Sequence, residues 1–324
     1  MRARIAGTGS YVPERVLTNA DLERMVATSG TWIVERTGIR ERRIAAPGEA
    51  CSDLGTKAAE RALAAAGVAA ADLDLILVAT CTGDSPLPST ACLIQQRLGA
   101  VRAAACDLSA ACCGFVYALA VGDAYVKTGF RHVLIVGAEV MSMITDWTDR
   151  GTCILFGDGA GAVVLSPSEG ERGILSSHLH SDGNLWDLIC VPGGGSRMPP
   201  SEKMLAEGLQ YIKMKGNETF KVAVKTLEEA AREALSANHL SVDDLDLYVP
   251  HQANVRIIKA VAGRLGLPME KVVLNMDRYG NTSAASIPLA LDEAVREGRL
   301  KEGSLVMIEA FGSGLTWASA VIRW

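Results

Sequence analysis

The chain has 324 residues, of which 49% are hydrophobic and 5% aromatic, so it is long enough for one large domain or two ordinary ones. Its formal charge of −5 argues against non-specific binding to nucleic acid. The eight cysteines include no C-x-x-C pair and the five histidines are scattered, so their spacing predicts no metal site. We expect no cofactor held by the protein.

The N-terminal segment Met1–Pro13 lacks the long apolar stretch of a secretory signal. The longest run of small apolar residues, Ala62–Ala71, has 10 residues, whereas a span of the bilayer needs roughly 18. We therefore expect a cytoplasmic protein with free thiols and no membrane association.

An internal repeat organises the chain. Ala58–Val78 and Ala230–Pro250 align without a gap at an offset of 172 residues, and each contains a helical pattern, a turn and the sequence D-L-D-L before an apolar strand. The same offset pairs the apolar strand His132–Glu139 with Ser304–Phe311. We infer an ancient duplication.

Each predicted half alternates helices with strands that are continuous apolar runs, the pattern of a sheet covered on both faces. An F-G-x-G turn follows the paired strands, at Phe156–Gly159 and Phe311–Gly314. Two such halves packed face to face predict a five-layered α-β-α-β-α body of the α/β class. The polar stretch Pro167–Arg172 is the predicted join, with halves at residues 1–170 and 171–324.

A candidate nucleophile lies in the first half. The short apolar strand Ala103–Leu108 precedes Cys112, and a helical pattern that ends at Gly129 follows it. Cys112 thus falls at a strand-to-helix turn, where the positive end of the helix favours a thiolate. A buried cysteine is nevertheless more often an inert small hydrophobe. Cys113 competes for the role, and the residues alone do not choose between the two.

Candidate partners lie in the second half. His251 ends an apolar strand before the predicted helix Val255–Gly266, and Asn281 follows Gly280 at the end of a strand predicted to begin at Val273. Taken singly, each is more often a structural residue. The duplication, however, brings strand ends of both halves towards one pseudo-two-fold axis, where these side chains would converge with the cysteine.

Two glycine-rich segments are weak functional signals. Gly157–Gly161 has the glycines of a dinucleotide loop, but it joins two predicted strands and opens no helix. Val191–Ser196 lacks the Gly-Lys-Ser/Thr ending of a phosphate loop and is predicted to be an ordinary loop.

Together these segments resemble the β-ketoacyl-acyl-carrier-protein synthase III family of the thiolase-like superfamily. The resemblance runs from about residue 3 to the last residue, and its strongest pieces are DLSAACCGF, TDRGTCILFGDGAGAVVL, VPHQANVRII, DRYGNTSAAS and EAFGSGLTW. It implies the thiolase-like five-layered fold, a homodimer, and Cys112 rather than Cys113 as the nucleophile.

The resemblance also implies a reaction. Cys112 takes an acyl group from acyl-coenzyme A, malonyl-acyl-carrier protein loses carbon dioxide, and the resulting carbanion attacks the acyl-enzyme to give a 3-oxoacyl-carrier protein, which initiates type II fatty acid synthesis. Two neutral donors, His251 and Asn281, stabilise the developing negative charge, and neither of their motifs supplies an opposing carboxylate. The backbone N–H groups of Cys112 and Ser313 hold the thioester oxyanion. A Cys-His-Asn set implies acetyl-coenzyme A or another short acyl-coenzyme A as primer.

Binding residues are implied by position. For coenzyme A they are Trp32, Arg36 and Arg150, although a helix with a solvated basic face would explain the first two as well. For the acyl carrier protein they are the residues around the start of the helix after His251: Gln252, Ala253, Asn254, Val255, Arg256 and Lys259. Lys213, Lys215 and Lys221 would extend this basic surface towards an acidic carrier.

Three positions depart from the family pattern: Cys113, which replaces a residue that is usually small, Leu87 and Ser313. Leu87 stands where many relatives place phenylalanine at the end of the acyl pocket, contributed across the dimer, so a longer or branched primer is an alternative to acetyl. Ser313 replaces a glycine, which keeps the backbone donor and adds a hydroxyl able to narrow the pocket or hydrogen-bond within it. Rival functions are a Cys-His-Asn condensing enzyme of a specialised pathway and a non-catalytic scaffold that binds carrier proteins. The duplication, and the lack of a papain-type cysteine motif, argue against a hydrolase of that type.

Overall fold

Apolar strands alternate with helices along the computed structural model, which describes residues 2–324. The strands are β1 (Arg2–Tyr11), β2 (Arg15–Thr18), β3 (Glu41–Ile44), β4 (Leu75–Ala79), β5 (Ala104–Leu108), β6 (Val133–Val140), β7 (Asp158–Ser168), β8 (Gly173–Ser181), β9 (Ile189–Cys190), β10 (Lys213–Met214), β11 (Leu247–Pro250), β12 (Leu305–Gly312) and β13 (Thr316–Arg323). The helices are α1 (Asn19–Glu23), α2 (Gly30–Thr37), α3 (Cys51–Ala66), α4 (Thr90–Leu98), α5 (Gly114–Lys127), α6 (Glu202–Ala206), α7 (Gly216–Ala237), α8 (Val255–Leu265), α9 (Met276–Tyr279) and α10 (Ser286–Arg296).

Two sheets form the body of the fold. The first has the strand order β1-β7-β6-β4-β5, and the second has the order β8-β13-β12-β11. In the first sheet β4 runs parallel to both β5 and β6, in the second sheet β11 runs parallel to β12, and the remaining pairs are antiparallel. The first sheet uses residues 2–168 and the second residues 173–323. In the sequence, the predicted join therefore separates the strands of one sheet from those of the other. The division into two domains stays a prediction.

The repeat copies occupy equivalent places. The first copy contributes α3 and β4 and the second contributes α7 and β11, and a single 3₁₀ turn lies between helix and strand in both. The counterpart of β5 is reduced to one parallel bridge between Tyr248 and Val272. The strand predicted to begin at Val273 is therefore wrong. The chain leaves the sheet there because the Asn275 N–H donates to the Gln252 side chain at 2.9 Å and α9 begins at the next residue.

The layers follow from where apolar side chains are buried. One cluster packs α3 and α4 on the outer face of the first sheet, and a second includes residues of α7 and α8 against the second sheet. The third lies between the sheets and contains α5 and α10. Burying a side chain such as Phe115 or Leu119 of α5 stabilises the fold by about 1.5–3 kcal/mol. The five-layered α-β-α-β-α prediction is confirmed.

The outer helices are amphipathic, whereas the central helix α5 is mostly apolar or small because sheets cover it on both sides. None of the helices between residues 2 and 324 combines the length and apolar character needed to cross a membrane.

Candidate active site

Two matching turns stand at the centre of the molecule. β5 ends four residues before Cys112, and a 3₁₀ turn over Ala111–Cys113 leads directly into α5. In the second half a 3₁₀ turn over Ser283–Ala285 leads into α10 in the same way. Ala111 and Ser283, which the 172-residue offset pairs, both have left-handed backbones, with φ of 46° and 48°. Such strain is uncommon outside glycine and clusters at functional sites.

The two adjacent cysteines have different surroundings. Cys112 lines a cavity of about 1050 Å³, and His251 and Asn281 line the same cavity. Cys113 is fully buried, and its thiol donates to the carbonyl oxygen of Thr316 at 3.2 Å. The structure therefore brings Cys112, His251 and Asn281 together and leaves Cys113 in the core.

The Cys112 thiol is held in its neutral form. Burial among protein atoms raises its pKa to about 11; the nearby Ser283 hydroxyl lowers it, and the Glu139 carboxyl raises it further. The Ser283 oxygen meets no hydrogen-bond partner of good geometry, yet it lies close enough to affect the thiol. Cys112 precedes the first residue of α5 by two positions, and burial dominates over the thiolate-favouring effect of the helix that the sequence predicts.

The turn after β12 packs directly against the Cys112 backbone. A side chain at Gly312 would place its Cβ 2.8 Å from the Cys112 nitrogen, so only glycine fits there. Ser313 lines the cavity, and its hydroxyl donates to the carbonyl oxygen of Ile189 at 2.5 Å. The Thr316 hydroxyl donates to the Ala110 carbonyl at 3.2 Å. These contacts fix the turn and the cysteine loop relative to one another.

His251 is positioned from both backbone and side chain. It follows β11, and its N–H donates to the Glu309 carbonyl oxygen at 2.7 Å. Its Nδ1 lies 2.6 Å from the Ser286 hydroxyl at the start of α10. Burial lowers the pKa of His251 to about 4, so the ring is neutral at physiological pH.

Asn281 is fixed by the cysteine-bearing half. Its backbone N–H donates to the Leu155 carbonyl at 2.8 Å, and its carbonyl accepts from the Gly157 N–H at 3.1 Å. Its side-chain Oδ1 accepts from the Ser283 N–H at 2.9 Å. Because this bond assigns the oxygen, the amide NH₂ group remains to donate towards the cavity.

The glycine-rich segment beside Asn281 serves packing. A Cβ at Gly157 would come within 2.3 Å of the Tyr279 carbonyl oxygen, so this glycine lets the two halves approach closely. Gly157 lies immediately before β7, in agreement with the prediction that the segment opens no helix. Val191–Ser196 is a loop between β9 and α6, as predicted.

Two buried carboxyl groups near the site were missed by the sequence analysis. Glu139 accepts hydrogen bonds from Thr82 and from the thiol of Cys81, which lines the cavity. Glu309 accepts from the Tyr248 hydroxyl and borders a small cavity that His251 also borders. The signal was present as a single glutamate at or near the end of each of two apolar strands, HVLIVGAE and SLVMIEAF.

Both carboxyls are shifted towards the neutral acid. Burial raises the pKa of Glu139, against the lowering effect of its hydrogen-bond donors, and burial raises the pKa of Glu309 to about 8. A carboxyl group does lie near His251, although the two partner motifs contain none. Because the pKa of Glu309 is raised, this carboxyl is mostly protonated and uncharged at neutral pH.

The predicted coenzyme A residues cluster at one end of the cavity. Trp32 and Arg36 lie on α2 and line it. The guanidinium carbons of Arg36 and Arg150 lie 5.0 and 4.7 Å from the centre of the Trp32 ring. The aromatic face and the two cations thus form one surface, suited to a flat base and phosphates.

The predicted carrier-protein residues are divided by burial. Ala253, Asn254 and Arg256 line the cavity, Val255 begins α8, and Arg256 and Lys259 are exposed on that helix. Gln252 does not fit the prediction that it contacts the carrier protein. It is buried, its amide nitrogen donates to the carbonyls of Pro250 and Val273, and its oxygen accepts from Asn275. It therefore supports the active-site backbone and presents no surface to a partner.

Three predicted flanking lysines differ in their contacts. Lys215 pairs with Asp187 at 2.6 Å, and Lys213 lies 3.9 Å from Asp146. Lys221 lines the cavity together with Arg256.

Leu87 lies away from the cavity of its own chain. Its side chain is 86% exposed, and it is not among the cavity-lining residues. An acyl-pocket role for Leu87 would therefore require a second copy of the chain.

Two family models match parts of this chain. Residues 106–183 match the model described as 3-oxoacyl-[acyl-carrier-protein (ACP)] synthase III, and residues 235–324 match the model of its C-terminal part. A β-ketoacyl-[acyl-carrier-protein] synthase III of Alkalilimnicola ehrlichii is 58% identical over 324 residues, covering 99% of each chain. The chain belongs to the β-ketoacyl-acyl-carrier-protein synthase III family.

Solved structures extend the likeness to three dimensions. The synthase III of Aquifex aeolicus superposes with a TM-score of 0.93 at 48% identity, covering 99% of this chain and 100% of that one. A priming β-ketosynthase from the R1128 polyketide pathway superposes with a TM-score of 0.92 at 39% identity, covering 99% and 96%. The family assignment makes this chain an acyl-transferring condensing enzyme with the thiolase-like fold, as predicted.

Proposed function

We propose that this synthase III condenses a short acyl-coenzyme A with malonyl-acyl-carrier protein, giving a 3-oxoacyl-carrier protein, coenzyme A and carbon dioxide, and so initiates type II fatty acid synthesis. The observation that carries the proposal is the convergence of Cys112, His251 and Asn281 on one cavity, which is thus lined by a thiol and two neutral hydrogen-bond donors. The family membership, at 58% identity to a relative of that name, supports it independently.

In the first half-reaction the sulfur of Cys112 attacks the thioester carbonyl of the acyl-coenzyme A. The backbone N–H groups of Cys112 and Ser313 receive the oxyanion, and each such donor is typically worth about 3 kcal/mol in rate. Collapse breaks the carbon–sulfur bond to coenzyme A, which leaves with the proton that the Cys112 thiol gave up. The close approach of Gly312 to the Cys112 backbone supports this arrangement, because it brings the segment that carries the Ser313 N–H next to Cys112.

In the second half-reaction the malonyl thioester occupies the cavity beside the acyl-enzyme. The His251 Nε2–H and the Asn281 amide donate to the malonyl thioester oxygen, which gains negative charge as the carboxylate carbon leaves as carbon dioxide. The carbanion attacks the acyl carbonyl and expels the Cys112 sulfur. A neutral histidine suits this role because it donates without giving up its proton.

Substrate delivery uses the cavity mouth. Trp32, Arg36 and Arg150 bind the nucleotide end of coenzyme A, by stacking and by pairing with phosphates. Arg256 and Lys259, exposed on α8, attract the acidic carrier protein despite the negative net charge of the chain.

The working molecule is a homodimer in this proposal. β5 lies at the edge of the first sheet, its side chains are largely exposed, and unpaired edges of this kind favour strand addition. The exposed Leu87 of one copy would then reach the acyl pocket of the other and set primer length.

The proposal also assigns the chain to the cytoplasm and treats its halves, residues 1–170 and 171–324, as two domains.

A specialised pathway is the second candidate. The R1128 priming β-ketosynthase shares the fold at a TM-score of 0.92 and 39% identity, so a protein similar to this chain belongs to a polyketide pathway. The two candidates differ in the acyl group carried.

The deciding experiment exposes the protein to a mixed pool of acyl-coenzymes A and weighs the adduct on Cys112 by intact-mass analysis and peptide mapping. We expect one acyl group per chain, lost in Cys112→Ala and retained in the adjacent Cys113→Ala. Addition of malonyl-carrier protein should then release carbon dioxide. Adduct formation without carbon dioxide release would reject the condensation, and no adduct at all would favour a non-catalytic scaffold.

A further inference from the structure

The hydroxyl of Ser286 contacts one ring nitrogen of His251, Nδ1, and leaves Nε2 as the other nitrogen of a side chain that lines the cavity. Its Oγ lies 2.6 Å from Nδ1, and both residues are buried, with 1% and 7% of their surfaces exposed. Ser286 is the first residue of α10, in the layer between the two sheets. A rigid element therefore supports this hydroxyl.

The position of the hydroxyl proton follows from the neighbouring bonds. The backbone N–H of Gln252 donates to the same Oγ at 3.4 Å, so that oxygen already acts as an acceptor. Within residues 2–324, the ring Nδ1 is the remaining hydrogen-bond partner of this hydroxyl. If Nδ1 carried a proton, the Ser286 proton would be buried without an acceptor, which native structures avoid. Donation from Ser286 to Nδ1 satisfies all three groups.

A proton on Nδ1 and a proton on Nε2 are alternatives in a neutral imidazole, and the partner of one nitrogen decides the state of the other. We propose that Ser286 is a positioning residue that fixes His251 as the Nε2–H tautomer, with its proton directed into the cavity. The inference rests on the proposed function, because only a proton on Nε2 can be donated to the malonyl thioester oxygen.

The surrounding backbone makes the arrangement rigid. The His251 N–H is tied to the Glu309 carbonyl at 2.7 Å, and the side chain of Gln252 bridges Pro250, Val273 and Asn275. The ring and the Gln252 N–H therefore cannot easily move away from the hydroxyl to find other partners.

The test separates the two half-reactions in Ser286→Ala. Acylation of Cys112 does not use Nε2 in this scheme and should stay within about twofold of the unmodified enzyme. Release of carbon dioxide from malonyl-carrier protein should fall about 10- to 100-fold, the typical cost of losing a partner that orients a metal-ligating histidine. Ser286→Thr retains the hydroxyl and should restore most of the loss. Ser319→Ala, which removes another buried hydroxyl that donates to the Ala230 carbonyl at 3.1 Å, is the matched control.

Nitrogen NMR of the histidine rings gives a readout that does not depend on activity. The His251 signals, assigned by their loss in His251→Gln, should report Nε2–H in the unmodified enzyme and a mixture of tautomers in Ser286→Ala. Unchanged tautomer signals in Ser286→Ala, or an equal fall in both half-reactions, would overturn the proposal. Failure of the proposed function would look different: the unmodified enzyme would release no carbon dioxide, whatever its tautomer.

Discussion

Replacing Gly312 by alanine tests how closely the cysteine loop and the turn after β12 depend on each other. The added Cβ would lie 2.8 Å from the Cys112 nitrogen and 3.0 Å from the Cys112 Cβ. Carbon atoms normally approach to about 3.5–4.0 Å, so one of the two segments must move by about 0.5–1 Å. A displacement of about 1 Å at reacting groups costs on the order of 100-fold in rate.

We therefore expect Gly312→Ala to acylate Cys112 about 10- to 100-fold more slowly, which corresponds to about 1.4–2.7 kcal/mol in the activation barrier. The assay is rapid quenching after mixing with acyl-coenzyme A, followed by intact-mass analysis. Gly263→Ala is the matched control, because Gly263 is exposed on α8 and its Cβ would contact nothing within 4 Å. The control should be unchanged in rate and more stable by about 0.5–1 kcal/mol. A folded Gly312→Ala variant that acylates within twofold of the unmodified enzyme would refute this geometry.

Three further outcomes are expected. Arg36→Ala or Arg150→Ala should raise KM for acyl-coenzyme A several-fold. KM for an acyl-pantetheine, which lacks the nucleotide, should be unaltered. Equal effects on both substrates would contradict nucleotide binding. Ser313→Gly loses the hydrogen bond to the Ile189 carbonyl and should lower the free energy of unfolding by about 0.5–1.5 kcal/mol. Calorimetry should show a lower Tm. An unchanged Tm would mean that this hydrogen bond does not stabilise the fold. Glu309→Gln should flatten the pH dependence of stability. The pKa of Glu309 is about 8 in the folded state and near 4.5 in the unfolded state. Protonated Glu309 therefore stabilises the folded protein fully below pH 4.5, and this contribution is lost as the pH rises to about 8. Denaturant unfolding at several pH values measures the difference, and parallel curves for the two proteins would count against it.

The sequence by itself determined the plan of the molecule. The 172-residue repeat predicted two matching α/β halves, because continuous apolar strands must be covered on both faces, and the five layers follow from that need. The candidate catalytic residues also stood at the ends of predicted elements, and the structure places Cys112, His251 and Asn281 on one cavity. The local sequence pattern predicted the structure less well where the chain has little regular secondary structure. The strand expected to begin at Val273 is only a single bridge at Val272.

The protonation of the site, by contrast, depends on groups that are distant in sequence. Burial raises the pKa of Cys112 to about 11 and lowers that of His251 to about 4, and no local pattern records how much protein surrounds a side chain. The choice between Cys112 and Cys113 likewise became visible in the packing, since one thiol faces the cavity and the other bonds to Thr316, 203 residues away. Ser286 could not be connected to His251 from the sequence because α10 meets β11 only after the two sheets enclose the central helices. Sequence thus decides which elements form, and tertiary structure decides which atoms they bring within bonding distance.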